Sequence, residues 1–286
     1  MTTLNQFESA FARADKVEFQ LAPRPIRRIL FLSDLDDEQT ETSLEQLKVF
    51  LGVLSDAPDE DPEWLSLSAS QYANGQEVLE KLEDLKPDLI VTYRMLKEIS
   101  RELAYSLGTY LDVLSQAIST PILVIPRDAT LMNLSEGTPQ VLAVTSHMTG
   151  DDSLVNWALP FVRGAKGDLF LAHIEDDHDF ERYLDVIGKI PDLNTEIARS
   201  EIQAQLLKEA TEFIASAKAA INAANPDLQV HSLVRLGHKV PDYVALVAEH
   251  KVDLLVIEGK DESQAAMSGL AYSLAIELGS LPILIL

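Results

Sequence analysis

At 286 residues, with 47% hydrophobic and 24% charged side chains, the chain is long for one domain and comfortable for two of about 140 residues, each able to bury its own core. Cysteine is absent, which excludes disulfides, thiolate metal sites and thiol nucleophiles. The formal charge of −23 is spread evenly, with 12 basic and 24 acidic residues before Gly137 and 11 and 22 after it, so the surface repels nucleic acid phosphate and anionic lipid.

In chain order, residues 1–26 form an N-terminal extension whose "LNQFESAFARA" is amphipathic and charged rather than built like a signal peptide. "RRILFLSD" (Arg27–Asp34) is short and apolar enough for a buried strand, and "TSLEQLKVFLGVL" reads as a helix capped near Thr42. "PEWLSLSAS" is at most the remnant of a further element that is otherwise lost, and "GQEVLEKLEDL" is a helix whose Val78, Leu79, Leu82 and Leu85 share one face. "PDLIVTYR" (Pro87–Arg94) is a strand, and "SLGTYLDVLSQAISTPILVIP" (Ser106–Pro126) is a helix followed by a strand entered through Pro121. The connector "RDATLMNLSEGTPQ" is polar and broken by Gly137 and Pro139. Beyond it, "PQVLAVTS" (Pro139–Ser146) is a strand, "DSLVNWALPFV" a helix, "GDLFLAHIE" a strand, "EIARSEIQAQLLKEATEFIASAKAAINAA" a long helix and "LQVHSLVRLG" a strand. "PDYVALVAEHK" is a helix opened by Pro241, and "VDLLVIEG" (Val252–Gly259) and "MSGLAYSLAIELGSLPILIL" (Met267–Leu286) close the chain. No run reaches the roughly 18 apolar residues of a membrane span, and a cytoplasmic protein without membrane or nucleic-acid partners is expected.

The pattern repeats. Gly108 aligns with Gly269 and Pro121 with Pro282, both 161 residues apart, and "PDLIVTYR" answers to "VDLLVIEG". Strands alternating with helical periodicity argue for parallel sheets covered by helices. The expected domains are residues 27–130, abbreviated by about 50 residues, and 138–286, complete.

This order of motifs resembles the universal stress protein family in its tandem form: the opening strand ending in Asp34, "LAHIE" with His173, "VRLGH" with Gly237, the "D-L-[IL]-V" strands and the closing "Pro-Ile-Leu" strands. The resemblance implies an α/β fold of two tandem domains with mostly parallel five-stranded sheets flanked by helices, of the adenine nucleotide alpha hydrolase-like kind. It implies too that the last strands pair antiparallel across the domain interface, making an intramolecular pseudo-dimer. Members that bind ATP resemble Gly-x-x-Gly, nine residues, then Gly followed by Ser or Thr, with an Asp at the end of the first strand. Glycine lets backbone approach phosphate, and free helix N–H groups hold the anion.

Against that pattern the first copy keeps Asp34 and Gly108-Thr109 but has Tyr93 and Leu96 at the first two glycine positions. The second has Ser146 for the Asp, Glu258 at the first glycine, Gly259 one position out of register, and Leu270 after Gly269. The expectation is therefore a non-catalytic stress-response or regulatory protein that is not a conventional ATP binder and works through protein partners. Two alternatives stand beside it: a nucleotide sensor or weak ATPase holding ATP or AMP at the first-copy site, and a regulator binding a small anion such as bicarbonate or a phosphorylated metabolite in a re-lined cleft.

Arg94, Lys97 and Arg101 follow a strand end and supply the cations such an anion needs, unless they pair with Glu98, Glu102 or Asp112 on a helix face. Ser146, His147 and His238 lie at carboxyl ends of strands, where open α/β sheets place ligands. With Asp151 or Asp152 they suggest a hydrolytic triad, but no Gly-x-Ser-x-Gly turn accompanies them. "AHIEDDHD" (Ala172–Asp179) gathers two histidines and four carboxylates, yet lacks fixed ligand spacing and reads as a solvated acidic loop rather than a metal site. A homodimer of the whole chain is left open.

Overall fold

A computed structural model of the chain describes residues 18–22, 24–54, 61–98, 105–126, 137–144, 152–190, 194–260 and 266–286. Among these, nine strands and eight α-helices alternate. The first run is β1 (Arg28–Leu32), α1 (Asp37–Phe50) with a 3₁₀ turn at Leu51–Leu54, β2 (Glu63–Leu67), α2 (Gly75–Leu85), β3 (Leu89–Tyr93), α3 (Thr109–Ala117) and β4 (Ile122–Ile125). The second run is β5 (Gln140–Val144), α4 (Asp152–Ala165), β6 (Asp168–Asp176), α5 (Asp177–Ile187), α6 (Thr195–Ala224), β7 (Gln229–Gly237), α7 (Lys239–Glu249), β8 (Leu254–Ile257), α8 (Gly269–Glu277) and β9 (Ile283–Ile285).

All nine strands join one sheet in the order β2-β1-β3-β4-β9-β8-β5-β6-β7. Every neighbouring pair is parallel except β4 and β9, which run antiparallel with Ile122 opposite Ile285, Leu123 opposite Leu284 and Val124 opposite Ile283. The apolar runs explain the layering. Strands β3, β4, β8 and β9 are buried at every position, as parallel strands covered on both faces must be. The outermost strands β2 and β7 mix exposed and buried positions, as edges do.

Corresponding hydrogen bonds recur within each of the two runs. The Asp88 carboxylate accepts from the Arg27 and Arg28 amides at 2.8 and 2.9 Å, and that of Asp253 from the Gln140 amide at 3.0 Å. Ile90 N–H donates to the Pro121 carbonyl and Leu255 N–H to that of Pro282. Each proline thus supplies an acceptor where its missing donor does no harm.

Three readings change. The first helix begins at Asp37 and is capped by Asp36, six residues before Thr42, with the Asp36 side chain accepting from Gln39 N–H. Thr42 instead bonds back to the Glu38 carbonyl inside the helix. "PEWLSLSAS" is a true edge strand, β2, in register with β1. "AHIEDDHD" is the end of β6 running straight into α5: Asp176 caps the helix by accepting from His178 N–H, Asp177 and Asp179 occupy its first turn, and Phe180 and Leu184 bury one face. Among the described residues no group of three or more His, Asp or Glu side chains is arranged to hold a metal.

The amphipathic "LNQFESAFARA" lies outside the described residues. The residues just after it dock on the second run. Phe19 is buried edge-to-face on Phe213 at 6.1 Å with its N–H on the Ser216 hydroxyl, and the buried Asn156 side chain bonds both Gln20 and Ala22. No described helix is long and apolar enough to cross a membrane.

Candidate functional site

Open α/β sheets bind ligands outside the carboxyl ends of their strands, and in the first run that edge carries Asp34, the β3–α3 loop and the start of α3. Asp34 follows β1. Its N–H donates to the Tyr93 hydroxyl at 2.9 Å, while that hydroxyl donates to the Asp34 carboxylate. The other carboxylate oxygen accepts from the Lys97 amide at 2.7 Å. Burial, and then the bond to Asp34, raise the Tyr93 phenol well above its ordinary value, so it stays a donor.

The rest of the loop folds inward. Leu96 is 1% exposed. Lys97 lays its ammonium over the Tyr72 ring, 3.9 Å from the centroid, and donates to the Ala69 and Tyr72 carbonyls. Met95 and Lys97 both hold φ of 58°, the left-handed region that costs a side-chain-bearing residue about 1–2 kcal/mol. Gly108, with φ of 96°, lies so close that a Cβ there would sit 2.9 Å from the Met95 Cα, and the Met95 amide donates to the Leu107 carbonyl. The glycine is kept for backbone packed against backbone.

At the start of α3 the Thr109 N–H donates to Glu98 Oε1 at 2.6 Å. A carboxylate of the chain thus lies where a helix N-terminus would hold a phosphate oxygen. Burial, and then the Glu98 charge, raise the Asp112 carboxyl above its ordinary value. The Asp34 carboxylate, the loop glycine and the helix amide are each engaged within the chain.

Arg94 reaches from this loop toward the second run. It donates to the Ser106 carbonyl at 3.0 Å and, across the β4–β9 junction, to the Ile276 carbonyl at the end of α8 at 3.2 Å. Burial lowers its guanidinium from the ordinary value. Lys260 makes the reciprocal reach, donating to the carbonyls of Ser115, Gln116 and Ile118 at the end of α3 at 3.1, 3.3 and 3.3 Å. Each cation follows one strand and caps the last helix of the other run, where the helix dipole favours positive charge.

On the second edge, Ser146 and His147 lie outside the described residues, as do Arg101 and Asp151. Gly259 donates to the Leu286 carbonyl, and a Cβ there would sit 2.7 Å from Ile285 Cγ2, so it admits the closing strand. Gly269 opens α8 with free space around it, behind the Ser268 cap. Gly237 and His238 surround Asp242, which accepts from the His238 N–H at 2.8 Å. The His238 Nδ1 lies 2.8 Å from Asp177, and a Cβ on Gly237 would collide with Asp242 at 2.0 Å. His173 is buried within β6, 3.2 Å from Glu175. Of the residues singled out from sequence, the structure gathers Asp34, Gly108 and Thr109 at one edge, with Arg94 turned from it. Sequence reasoning missed the acceptor role of Glu98, which lies 11 residues from its partner with no local signature, and the reach of Lys260.

The sheet and its antiparallel junction define a class before any comparison is made: paired α/β units joined through their closing strands. No protein-family model matches the chain, and no curated protein matches it in sequence. Solved structures do match in fold. A universal stress protein from Archaeoglobus fulgidus DSM 4304 is 12% identical, covering 91% of this chain and 85% of its own, with a TM-score of 0.50. A protein assigned to the universal stress class from Pseudomonas aeruginosa UCBPP-PA14 is 12% identical over 91% and 93%, TM-score 0.55. A protein of unknown function from Pseudomonas aeruginosa PAO1 is 11% identical over 91% and 92%, TM-score 0.54. The chain has the universal stress protein fold.

Proposed function

We propose that this chain is a tandem member of the universal stress protein family, with domains over residues 27–130 and 138–286, that acts as a non-catalytic regulatory protein of the stress response and does not bind ATP in the family's conventional way. One observation carries the reading: the Glu98 carboxylate accepts the Thr109 N–H at the mouth of α3. A phosphate arriving there meets a like charge and must displace a hydrogen bond, both of which cost affinity. The engagement of Asp34 by Tyr93 and Lys97 supports it at the adenine end.

A regulatory protein of this kind works through protein partners, and one surface favours that. Tyr183 and Val186 lie one turn apart on α5, and with Ile190 and Ile197 all four are 46–60% exposed on a strongly acidic chain; large exposed apolar side chains are the raw material of interaction surfaces.

The test is calorimetric titration of the full chain with MgATP and with AMP. No saturable heat at millimolar nucleotide is expected. Stoichiometric micromolar binding would replace this reading with that of a nucleotide sensor acting through Asp34 and Gly108-Thr109. Saturable binding of bicarbonate or inorganic phosphate alone would favour a small-anion regulator.

A further inference from the structure

A cavity lies at the opposite, amino-terminal edge of the sheet, where the residues leading into β1, the 3₁₀ turn after α1, and the carboxyl ends of α4 and α6 converge. It measures about 820 Å³, within the range of cavities that bury a drug-sized ligand. Leu21, Ile26, Leu54, Leu159, Pro160 and Ala224 give it apolar walls. Its described charged lining is Arg24, Arg27, Arg163 and Asp61. The chain carries twice as many acidic as basic side chains, so three arginines to one carboxylate reverses the balance of the whole molecule. The arginines come from two separate elements, two from the segment before β1 and one from the last turn of α4. Neither the Arg24 nor the Arg27 guanidinium makes a hydrogen bond or ion pair among the described residues, whereas the Arg27 backbone is fixed by Asp88.

We propose that this cavity binds an organic anion with an apolar body: a carboxylate or phosphate monoester whose charge is held by Arg24 and Arg27 while its hydrocarbon or aromatic portion lies against Leu21, Ile26, Leu54 and Leu159. Guanidinium matches both headgroups through paired N–H donors. Inorganic phosphate leaves the apolar walls unfilled, and a neutral hydrocarbon leaves the cations unmatched. The site lies at the other edge of the sheet from Asp34 and Glu98 and stands or falls independently of the nucleotide question.

Titration of the full chain with decanoate, decyl phosphate, decanol and inorganic phosphate separates the contributions. One saturable site per chain is expected for decanoate or decyl phosphate, whichever headgroup fits, with decanol bound at least tenfold more weakly and inorganic phosphate not at all. The Arg24→Ala/Arg27→Ala double variant changes two exposed side chains and keeps the wild-type melting temperature. In it, anion affinity falls at least tenfold, about 1.4 kcal/mol, while decanol binding is unchanged. Equal binding of decanol and decanoate, an anion affinity indifferent to the double variant, or no saturable binding at about 1 mM ligand would each overturn the proposal. Glu98→Ala serves as the independent control and leaves decanoate affinity where it was.

Discussion

Replacing Glu98 by alanine removes a carboxylate from the mouth of α3, and its consequence can be worked from the contacts. The lost acceptor on Thr109 N–H is a helix-capping interaction, with a typical cost of about 1 kcal/mol; the lost negative charge at the helix N-terminus adds about 0.5 kcal/mol. Against this, Asp112 no longer faces a like charge. Glu98 is the second cause, after burial, of its raised carboxyl pKa, and relief of such a pair returns about 0.3–0.5 kcal/mol. The net loss is about 1 kcal/mol, a fall of about 2–4 °C in melting temperature for a chain of this size. The vacated amide then meets solvent anions. Were phosphate to bind there with a dissociation constant of about 5 mM, 50 mM phosphate would return about 1.4 kcal/mol and erase the defect. The assay is thermal unfolding of wild type and Glu98→Ala in chloride and phosphate at matched ionic strength, scored as the difference between the two proteins, because phosphate strengthens burial in any protein. Glu98→Gln, which keeps an acceptor without the charge, falls between them. Equal phosphate shifts in wild type and Glu98→Ala would refute the idea that Glu98 fills an anion position.

Glycine substitutions divide sharply. Gly108→Ala is expected to cost about 2–4 kcal/mol by urea unfolding, since it combines φ of 96° with a Cβ 2.9 Å from the Met95 Cα. Gly269→Ala has open space and is expected to change stability by less than about 0.5 kcal/mol; equal effects would contradict the packing described. Arg94→Ala and Lys260→Ala each remove charged donors from half-buried carbonyls across the junction, with an expected loss of about 1–2 kcal/mol each. The double variant should split a single calorimetric transition into two, and a loss below about 0.3 kcal/mol would show that the clamps are incidental. Burial raises the Asp253 carboxyl above its ordinary 3.8, so the folded protein holds that proton more tightly than the unfolded chain, and this group's contribution is present below that value and lost as pH rises through the folded pKa. Asp253→Asn, keeping the acceptor for the Gln140 amide, should be neutral or stabilising at pH 7 and flatten the stability profile above pH about 4; a large loss at pH 7 would show that the charge itself is needed.

The strands were legible because a strand covered on both faces is apolar nearly throughout, as "ILVI" and "LLVI" are and as "LIVTY" is up to Thr92, whose hydroxyl bonds the Leu32 carbonyl. The edge strand β2 was faint for the complementary reason: only Leu67 is fully buried, and Glu63, Trp64 and Ser66 blur its pattern. Helix α5 carried a readable signal, an Asp cap, acidic first turn and apolar Phe180 and Leu184 four apart, which the density of acidic residues concealed. The candidate site was legible as positions and not as contacts. Spacing located Asp34, Gly108 and Arg94, but whether a carboxylate is free or bonded depends on Tyr93 and Lys97, some 60 residues further on. Likewise Arg94 finds its acceptor 182 residues away, a separation at which sequence periodicity says nothing.

The two ends of a helix ask for opposite charges, and that asymmetry accounts for the contacts of these loops. A phosphate loop uses the amides at a helix N-terminus and so needs glycines close to a negative ligand. The loops after β3 and β8 have neither the glycine register nor a vacant amide at α3, where Glu98 already sits. What they retain is position: each leaves a strand beside the β4–β9 junction, within reach of the carboxyl end of the other run's last helix. A basic residue there meets carbonyls left unpaired by the helix, and Arg94 and Lys260 do so reciprocally. Gly279 belongs to the same adaptation, because a Cβ on it would lie 2.3 Å from the Arg94 guanidinium. The loops after β3 and β8 thereby fasten two halves of a sheet at helix C-termini, with their cations at the junction and the Glu98 carboxylate on the first amide of α3.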